Sequence, residues 1–426
     1  MSSLKHIIKR LFFTMYCIAT FVLIPLSAQE TNDTTAVKAD STDIKKTLSE
    51  LIKSSRKIEG LFTFFQDTVN GSVQMLIEKN QLNKEYIHFV HTLDGVVDVG
   101  HFRGAYKTSK IFEIRKYFNR LEFLTINTAY YFDPENPLRR AESANINAAV
   151  LVALVIVATD DETGAMLIKV DDMFLSESLY QIKPAPKPEA KPGTRFALGS
   201  LNKKKCQYIA LNNYPLNSDV VIKYVYDNPT PTNRGGPGIT DPRAVHVVIQ
   251  HSFIAVPEND YTPRYDDPRV GYFMTQVTDL TSTSNTPYRD LIHRWNLIKK
   301  EPSAPISEPV EPIVFWIENT TPTEFRPAVK EGVLRWNRAF RSAGFKNAVQ
   351  VKIQSDVAEW SAGDIRYNVL RWTSSPRPPF GGYGPSFVNP RSGQILGADI
   401  MLEFVYFTNR VKYDKLYDDV YEKQDW

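Results

Sequence analysis

Ile313-Val-Phe-Trp-Ile317, followed by Thr321-Pro-Thr-Glu324 and then Pro327-Ala-Val-Lys-Glu-Gly-Val-Leu-Arg-Trp-Asn-Arg-Ala-Phe-Arg-Ser-Ala-Gly344, reads as a strand leading into a helix. Five consecutive apolar residues suit a fully buried strand. Thr321 and Glu324 have the spacing of a capping box, with Pro322 at the first helical position. Pro327 removes a helical hydrogen bond and restricts Arg326, so a short turn is expected before a main helix from Pro327 to about Ala343. Val329, Val333, Trp336, Phe340 and Ala343 then fall on one apolar stripe, and Gly344 stands where a glycine ends a helix.

Downstream, Val349, Val351 and Ile353 alternate with Gln350 and Lys352, and Ile365, Tyr367 and Val369 alternate next, so two half-buried strands are expected. Glycines and prolines from Pro376 to Pro385 open a loop. Ser386–Val388 and Ile395–Leu402 flank the turn sequence Asn389-Pro-Arg-Ser-Gly393. Upstream, Lys299–Pro312 (KKEPSAPISEPVEP) is read as a proline-rich linker between domains.

Residues 60–298 carry strand signals: Val73–Glu78, Tyr86–His91, Ile111–Ile114, Leu121–Ala129, Val220–Tyr226 and Val245–Val256 are rich in β-branched and aromatic residues. Ala148–Ala158 and Met166–Val170 flank Asp160-Asp-Glu-Thr-Gly164, which predicts a hairpin. Residues 184–193 (PAPKPEAKPG) predict a stiff connector. Residues 29–59 are polar, with Ile44, Leu48, Leu51 and Ile52 at the spacing of a short amphipathic helix. Residues 1–28 have the form of a signal peptide: Lys5, Lys9 and Arg10, the apolar run Leu11–Leu26, then Ser27-Ala28. An exported protein is therefore expected, in the periplasm, at the outer surface or secreted, with no stable membrane span once the signal is removed.

The chain has 51 basic and 48 acidic residues. Lys5, Lys9 and Arg10 account for the excess, which leaves 48 against 48 beyond the signal and argues against nucleic acid as a partner. Only Cys206 remains beyond residue 28, so no internal disulfide is available there.

The run Val314-Phe-Trp-Ile317, the segment Phe325 to Ala348, Asp364-Ile-Arg-Tyr367 and Tyr383 to Ile400 together resemble the opening of a metzincin-like zinc metalloprotease domain. Pro263 to Phe273 and His293-Arg-Trp295 resemble the same group of large exported bacterial proteins, whose N-terminal regions are β-rich and uncharacterised. The resemblance implies an α+β chain: a β-rich region, then residues 313–426 as the N-terminal part of the protease domain, a mixed sheet with one long supporting helix. It also implies that an extended peptide or protein substrate pairs with an edge strand, at Tyr383, Gly384, Pro385, Ser386, Phe387, Val388 and Asn389. Zinc, held by His-Glu-x-x-His with the glutamate as general base, is expected of the complete family member.

No His-Glu-x-x-His occurs in the 426 residues, and every histidine lies upstream of Ile313. No catalytic or metal-ligating residue is carried over, and this chain is expected to bind no zinc and to lack peptidase activity without a C-terminal protease half. The alternative is a non-catalytic exported binding or scaffold protein with a relic protease segment.

His88 and His91 are three apart on a strand, so they should face opposite ways, and His246 and His251 likewise; each reads as a satisfied sheet histidine. Lys203-Lys-Lys205 beside Cys206 would lower the thiol pKa and allow a latency role, though basic flanks are ordinary in solvated loops. Asp266 and Asp267, between Arg264 and Arg269, read as a turn locked by arginine–carboxylate contacts rather than an acid/base pair. Trp316, Trp336 and Trp372 are expected in the core. Gly235, Gly236 and Gly238 lack the context of a phosphate loop.

Overall fold

Alternation of apolar side chains along long strands builds most of the molecule, because strands such as Val73–Ile77 bury one face, while Glu85–Asp94, Asn217–Asp227 and Ala244–Ala255 bury both over most of their length. The computed structural model describes residues 47–185, 191, 193–376, 378, 380–409 and 412. The expected signal peptide and most of the connector at 184–193 lie outside these residues. The helix α1 (Leu48–Ile52) opens with Thr47 as its cap, in a capping box with Glu50.

The first strands are β1 (Ser55–Ile58), β2 (Thr63–Asp67), β3 (Val73–Ile77), β4 (Glu85–Asp94), β5 (Tyr106–Tyr117) and β6 (Arg120–Ile126). The short β7 (Tyr130–Tyr131) precedes β8 (Ala149–Thr159) and β9 (Met166–Lys169), whose hairpin turns at Gly164 as expected. After the short helix α2 (Asp171–Phe174) come β10 (Ser200–Leu201), β11 (Gln207–Asn213), β12 (Asn217–Asp227) and β13 (Ala244–Ala255). These strands, β7 apart, form one antiparallel sheet in the order β1-β2-β3-β9-β8-β6-β5-β4-β13-β12-β10, with β11 also on β12. Its ends approach each other: Leu61 N–H donates to the Tyr214 carbonyl at 2.7 Å and Phe62 N–H to Ser218 Oγ at 3.1 Å. The nearly closed sheet is filled by Phe62, Phe64, Phe112, Phe123, Phe174, Tyr224, Tyr226 and Phe253.

A second sheet starts before the expected boundary. After the short strands β14 (Met274–Thr275), β15 (Thr278–Asp279) and β16 (Leu291–Ile292), β17 (Arg294–Trp295) already pairs with it. Then follow β18 (Ile313–Ile317), the helices α3 (Arg326–Leu334) and α4 (Asn337–Ser342), β19 (Val349–Ile353), β20 (Asn368–Thr373), β21 (Gly382–Tyr383), β22 (Ser386–Val388) and β23 (Gln394–Glu403). The order is β17-β23-β20-β18-β19, parallel throughout, with β21 and β22 antiparallel on β23. The chain is thus α+β, with its β-rich part first.

Three expectations are corrected. The single supporting helix is two, parted at Arg335–Trp336, and neither helix buries a residue. Trp336 is 65% exposed rather than in the core, while Trp316 and Trp372 are half-buried. Residues 299–312 are no free linker: Ser307 is buried and exchanges backbone hydrogen bonds with Gly344 and Lys346. Prolines suppressed regular structure there without preventing packing.

Both halves lie in one compact unit, Lys46–Trp426. The outward face of the first sheet docks on the second. Ile87, Phe89, Ile111 and Ile254 pack around Phe387, whose ring centroid is 4.4 Å from that of Phe89. At one side Arg366 forms a two-pronged ion pair with Asp364 and lies 3.9 Å over the Tyr214 ring; at the other Arg391 pairs with Glu85. Truncating a fully buried ring leaves a cavity, whereas truncating a solvated one does not. Phe253→Ala should therefore cost about 3–5 kcal/mol in urea unfolding, and Trp336→Ala no more than about 0.5 kcal/mol.

Candidate functional site

The edge of the second sheet comes from a chain reversal at Asn389–Gly393. Buried Asn389 accepts a hydrogen bond from Arg391 N–H through its side chain (2.9 Å), and Gly393 takes a positive φ of 76°. This returns the chain as β23, on which β22 and then β21 lie antiparallel. The seven residues expected as one edge strand are therefore two short strands interrupted at Gly384–Pro385.

Only part of that edge is open. Phe387, Val388 and Asn389 are buried, and Ser109 on β5 donates to the Val388 carbonyl at 3.0 Å. The β-rich half thus covers these three. Gly384 is exposed, while Tyr383, Pro385 and Ser386 are half-buried. Tyr383 is held by the β-rich half too: its hydroxyl accepts from Tyr106 N–H at 3.2 Å, and its ring lies 5.4 Å from that of Phe102.

Phe102 belongs to the turn between β4 and β5, which reaches over the carboxyl end of β20. Between them lies a cavity of about 470 Å³ lined by Asp94, Asp98, Phe102, Arg103 and Trp372, with glycine backbone from Gly236–Gly238. Open α/β sheets bind ligands beyond the carboxyl ends of their parallel strands. Trp372 stacks on Phe325 at 5.3 Å, and its indole nitrogen is buried without a hydrogen-bond partner among the described residues.

Beneath the edge runs a buried polar row. His91 leaves both ring nitrogens unpaired among the described residues, so it is not the satisfied histidine expected; burial and then the Arg371 charge push its pKa down to about 3. Asp399 accepts from Val369 N–H at 3.3 Å, and burial pushes its carboxyl up to about 7 against the pull of Arg371. Asp219, buried where the halves meet, is likewise raised to about 7 by burial.

His88 and His91 do face opposite ways, and His246 is exposed while His251 is buried. Same-strand spacing missed a convergence between strands: His88 Nε2 lies 3.0 Å from His251 Nδ1, and His251 Nε2 lies 3.0 Å from the Tyr224 hydroxyl. That hydroxyl donates to the Phe174 carbonyl at 2.8 Å, so the chain of contacts ends on backbone. Only strand order and register bring these residues together.

Asp267 pairs with Arg269 at 2.6 Å, as a locked turn requires. Cys206 is buried, and burial raises its thiol pKa against the lowering by Lys203, which reverses the expected activation. Gly235, Gly236 and Gly238 lie in a loop between β12 and β13. Among the described residues no group of three His, Cys, Asp or Glu side chains could hold a metal ion, and no helix is long and apolar enough to cross a membrane.

Residues 107–300 match a family described as a domain of unknown function (DUF5117). That match runs from the start of β5 to just past β17 and stops short of β18. Comparison with curated proteins gives no match, and comparison with solved structures gives none.

The buried groups make stability depend on pH. Between about pH 4 and 6.5 the unfolded chain binds protons at His91, His251 and His101, whose folded values are lowered to about 3, about 3 and about 4, with burial as the first cause in each case. Their contribution is present above the ordinary histidine range and is lost as pH falls. Asp219 and Asp399 act oppositely: their contribution is full below the ordinary carboxylate value of 3.8 and is lost between there and about 7. Urea midpoints should rise from about pH 4 to 6.5, because three lowered histidines outweigh two raised aspartates over that range, and Asp399→Asn should steepen the rise. A midpoint of the Asp399→Asn variant unchanged from about pH 4 to 6.5 would contradict the assignment of neutral buried histidines.

Proposed function

We propose that this chain is the N-terminal portion of an exported zinc-dependent metallopeptidase, in which the second sheet presents an edge to an extended peptide and the β-rich half forms a wall beside it. The observation that carries the reading is the edge itself. A parallel sheet backed by α3 and α4 ends in the antiparallel strands β21 and β22, with Gly384 exposed between them. An exposed edge offers backbone groups that an extended peptide pairs with directly. The resemblance at Val314–Ile317, Phe325–Ala348 and Tyr383–Ile400 supplies the class of protein.

The described residues do not fit a zinc site, since the histidines at 88, 91, 101 and 251 are buried within the β-rich half. The role left to these residues is to bind and align substrate, and its side-chain pockets would lie on both sides of the Tyr383–Ser386 stretch.

A non-catalytic exported binding protein is the second reading. It is favoured by how closely the β-rich half covers Phe387–Asn389, which leaves a short edge rather than a long cleft.

The purified chain should bind unstructured peptides measurably by fluorescence anisotropy. Gly384→Pro removes a backbone donor at an exposed position, and a side chain at 384 would meet only ordinary contacts with Ile400. This variant should weaken peptide binding at least tenfold while leaving the urea midpoint unchanged. Binding that ignores the substitution would remove the edge from the proposal. Chelator-sensitive peptide hydrolysis by the 426-residue chain would overturn the assignment of catalysis to residues outside it.

A further inference from the structure

The cavity beside the edge has a chemistry of its own. We infer that it is a subsite for a cationic side chain, arginine or lysine, of the bound peptide; this rests on the edge reading above. Position is the first argument. Phe102 lines the cavity, and the same ring packs 4.7 Å from Phe380 and 5.4 Å from Tyr383, so the cavity adjoins the accessible part of the edge. Successive side chains of a strand point to alternate sides, so a peptide paired near Gly384 directs a side chain toward this cavity or away from it.

Charge is the second. Among the described residues the ionisable groups lining the cavity are Asp94, Asp98 and Arg103, two negative and one positive, for a net of −1. Asp98 uses Oδ1 on Gly236 N–H (2.8 Å), and Asp94 uses Oδ1 on Gly95 N–H (2.9 Å). Each carboxylate is thereby fixed by backbone and keeps its second oxygen for another donor. Asp94 Oδ2 is 3.5 Å from an Arg103 nitrogen, a long contact between exposed side chains. Such a pair contributes little, so an incoming guanidinium or ammonium group can displace Arg103.

Surface is the third. Phe102 and Trp372 both line the cavity, and the Trp372 ring is already stacked on Phe325. A cation is attracted by an aromatic face as well as by carboxylate, whereas an anionic side chain gains from neither. The volume of about 470 Å³ falls within the ~300–1,000 Å³ of small-molecule sites and accommodates a long side chain with water.

Calorimetry on the full 426-residue chain at low ionic strength tests this with four peptides identical except for a central Arg, Lys, Ala or Glu, and with N-acetyl-arginine amide alone. The Arg and Lys peptides should bind at least tenfold more tightly than the Ala peptide, with the Glu peptide weakest. The double variant Asp94→Asn/Asp98→Asn should bring all four together, and Arg103→Gln should tighten the Arg peptide. Asp94, Asp98 and Arg103 are all exposed, so these substitutions should leave the urea midpoint unchanged, which serves as the control. Equal binding of the four peptides, all weakened by Gly384→Pro, would overturn the subsite and leave the edge standing. Asp-dependent binding of N-acetyl-arginine amide without binding of any peptide would leave the cavity and remove the edge. No binding of any probe would remove both.

Discussion

The structure depends on burying both faces of β4, β12 and β13. An ordinary antiparallel strand has one wet face. Here the inward face fills the closed sheet with Phe253, Tyr224 and Val90, and the outward face carries Phe89, Gln250 and Ile254 against the second sheet. Phe387 is the point of contact, set between Phe89 and the β5 residue Ile111. The edge of the second sheet takes its shape from this packing, because the part of the edge beyond Ser386 is what the β-rich half covers.

Double burial has an electrostatic consequence. Where both faces are covered, polar side chains on these strands cannot reach solvent, so each must find a partner or stay neutral. His88, His251 and Tyr224 find one another, and their row ends on the Phe174 carbonyl. His91 finds none among the described residues, and Arg371 beside it makes only a 3.6 Å contact with Glu318. Burial then holds His91 neutral while Asp399 keeps its proton to about pH 7. The polar row under the edge is the least satisfied part of the described residues, and it lies where the two halves meet.

Viewed with the edge, the turn between β4 and β5 has two roles. It closes over the carboxyl end of β20 and so makes the cavity, and through Phe102 and Tyr106 it fixes Tyr383. A single segment of the β-rich half therefore sets both how much of the edge a peptide can reach and what lies beside it. This gives the β-rich half a physical task in the proposed activity, that of a wall which selects and aligns; the turn itself precedes residues 107–300, which match the domain of unknown function and bring Gly236–Gly238 to the cavity.

Local pattern alone determined most of the long strands, the hairpin at Gly164, the order strand, helix, strand from Ile313 to Ile353, and the turn at Asn389–Gly393, but it did not mark β1, β2 or β11. Each depends on residues close in sequence, whose alternation and turn chemistry act within a few positions; the capping box expected at Thr321–Glu324 does not form, because α3 begins after Phe325 without a side-chain cap. Pattern also placed His88 and His91 on opposite faces. It misjudged Trp336, because an apolar stripe shows which face of a helix is apolar and not how deeply its neighbours cover it. It misjudged Cys206, since lysines adjacent in sequence weigh less than burial. Tertiary structure decided the rest: the meeting of His88 with His251, the folding back of 299–312, the covering of Phe387–Asn389 and the cavity around Asp98 and Trp372. All of these are contacts between residues far apart in the chain, and such contacts follow from strand order and register, which no local period encodes.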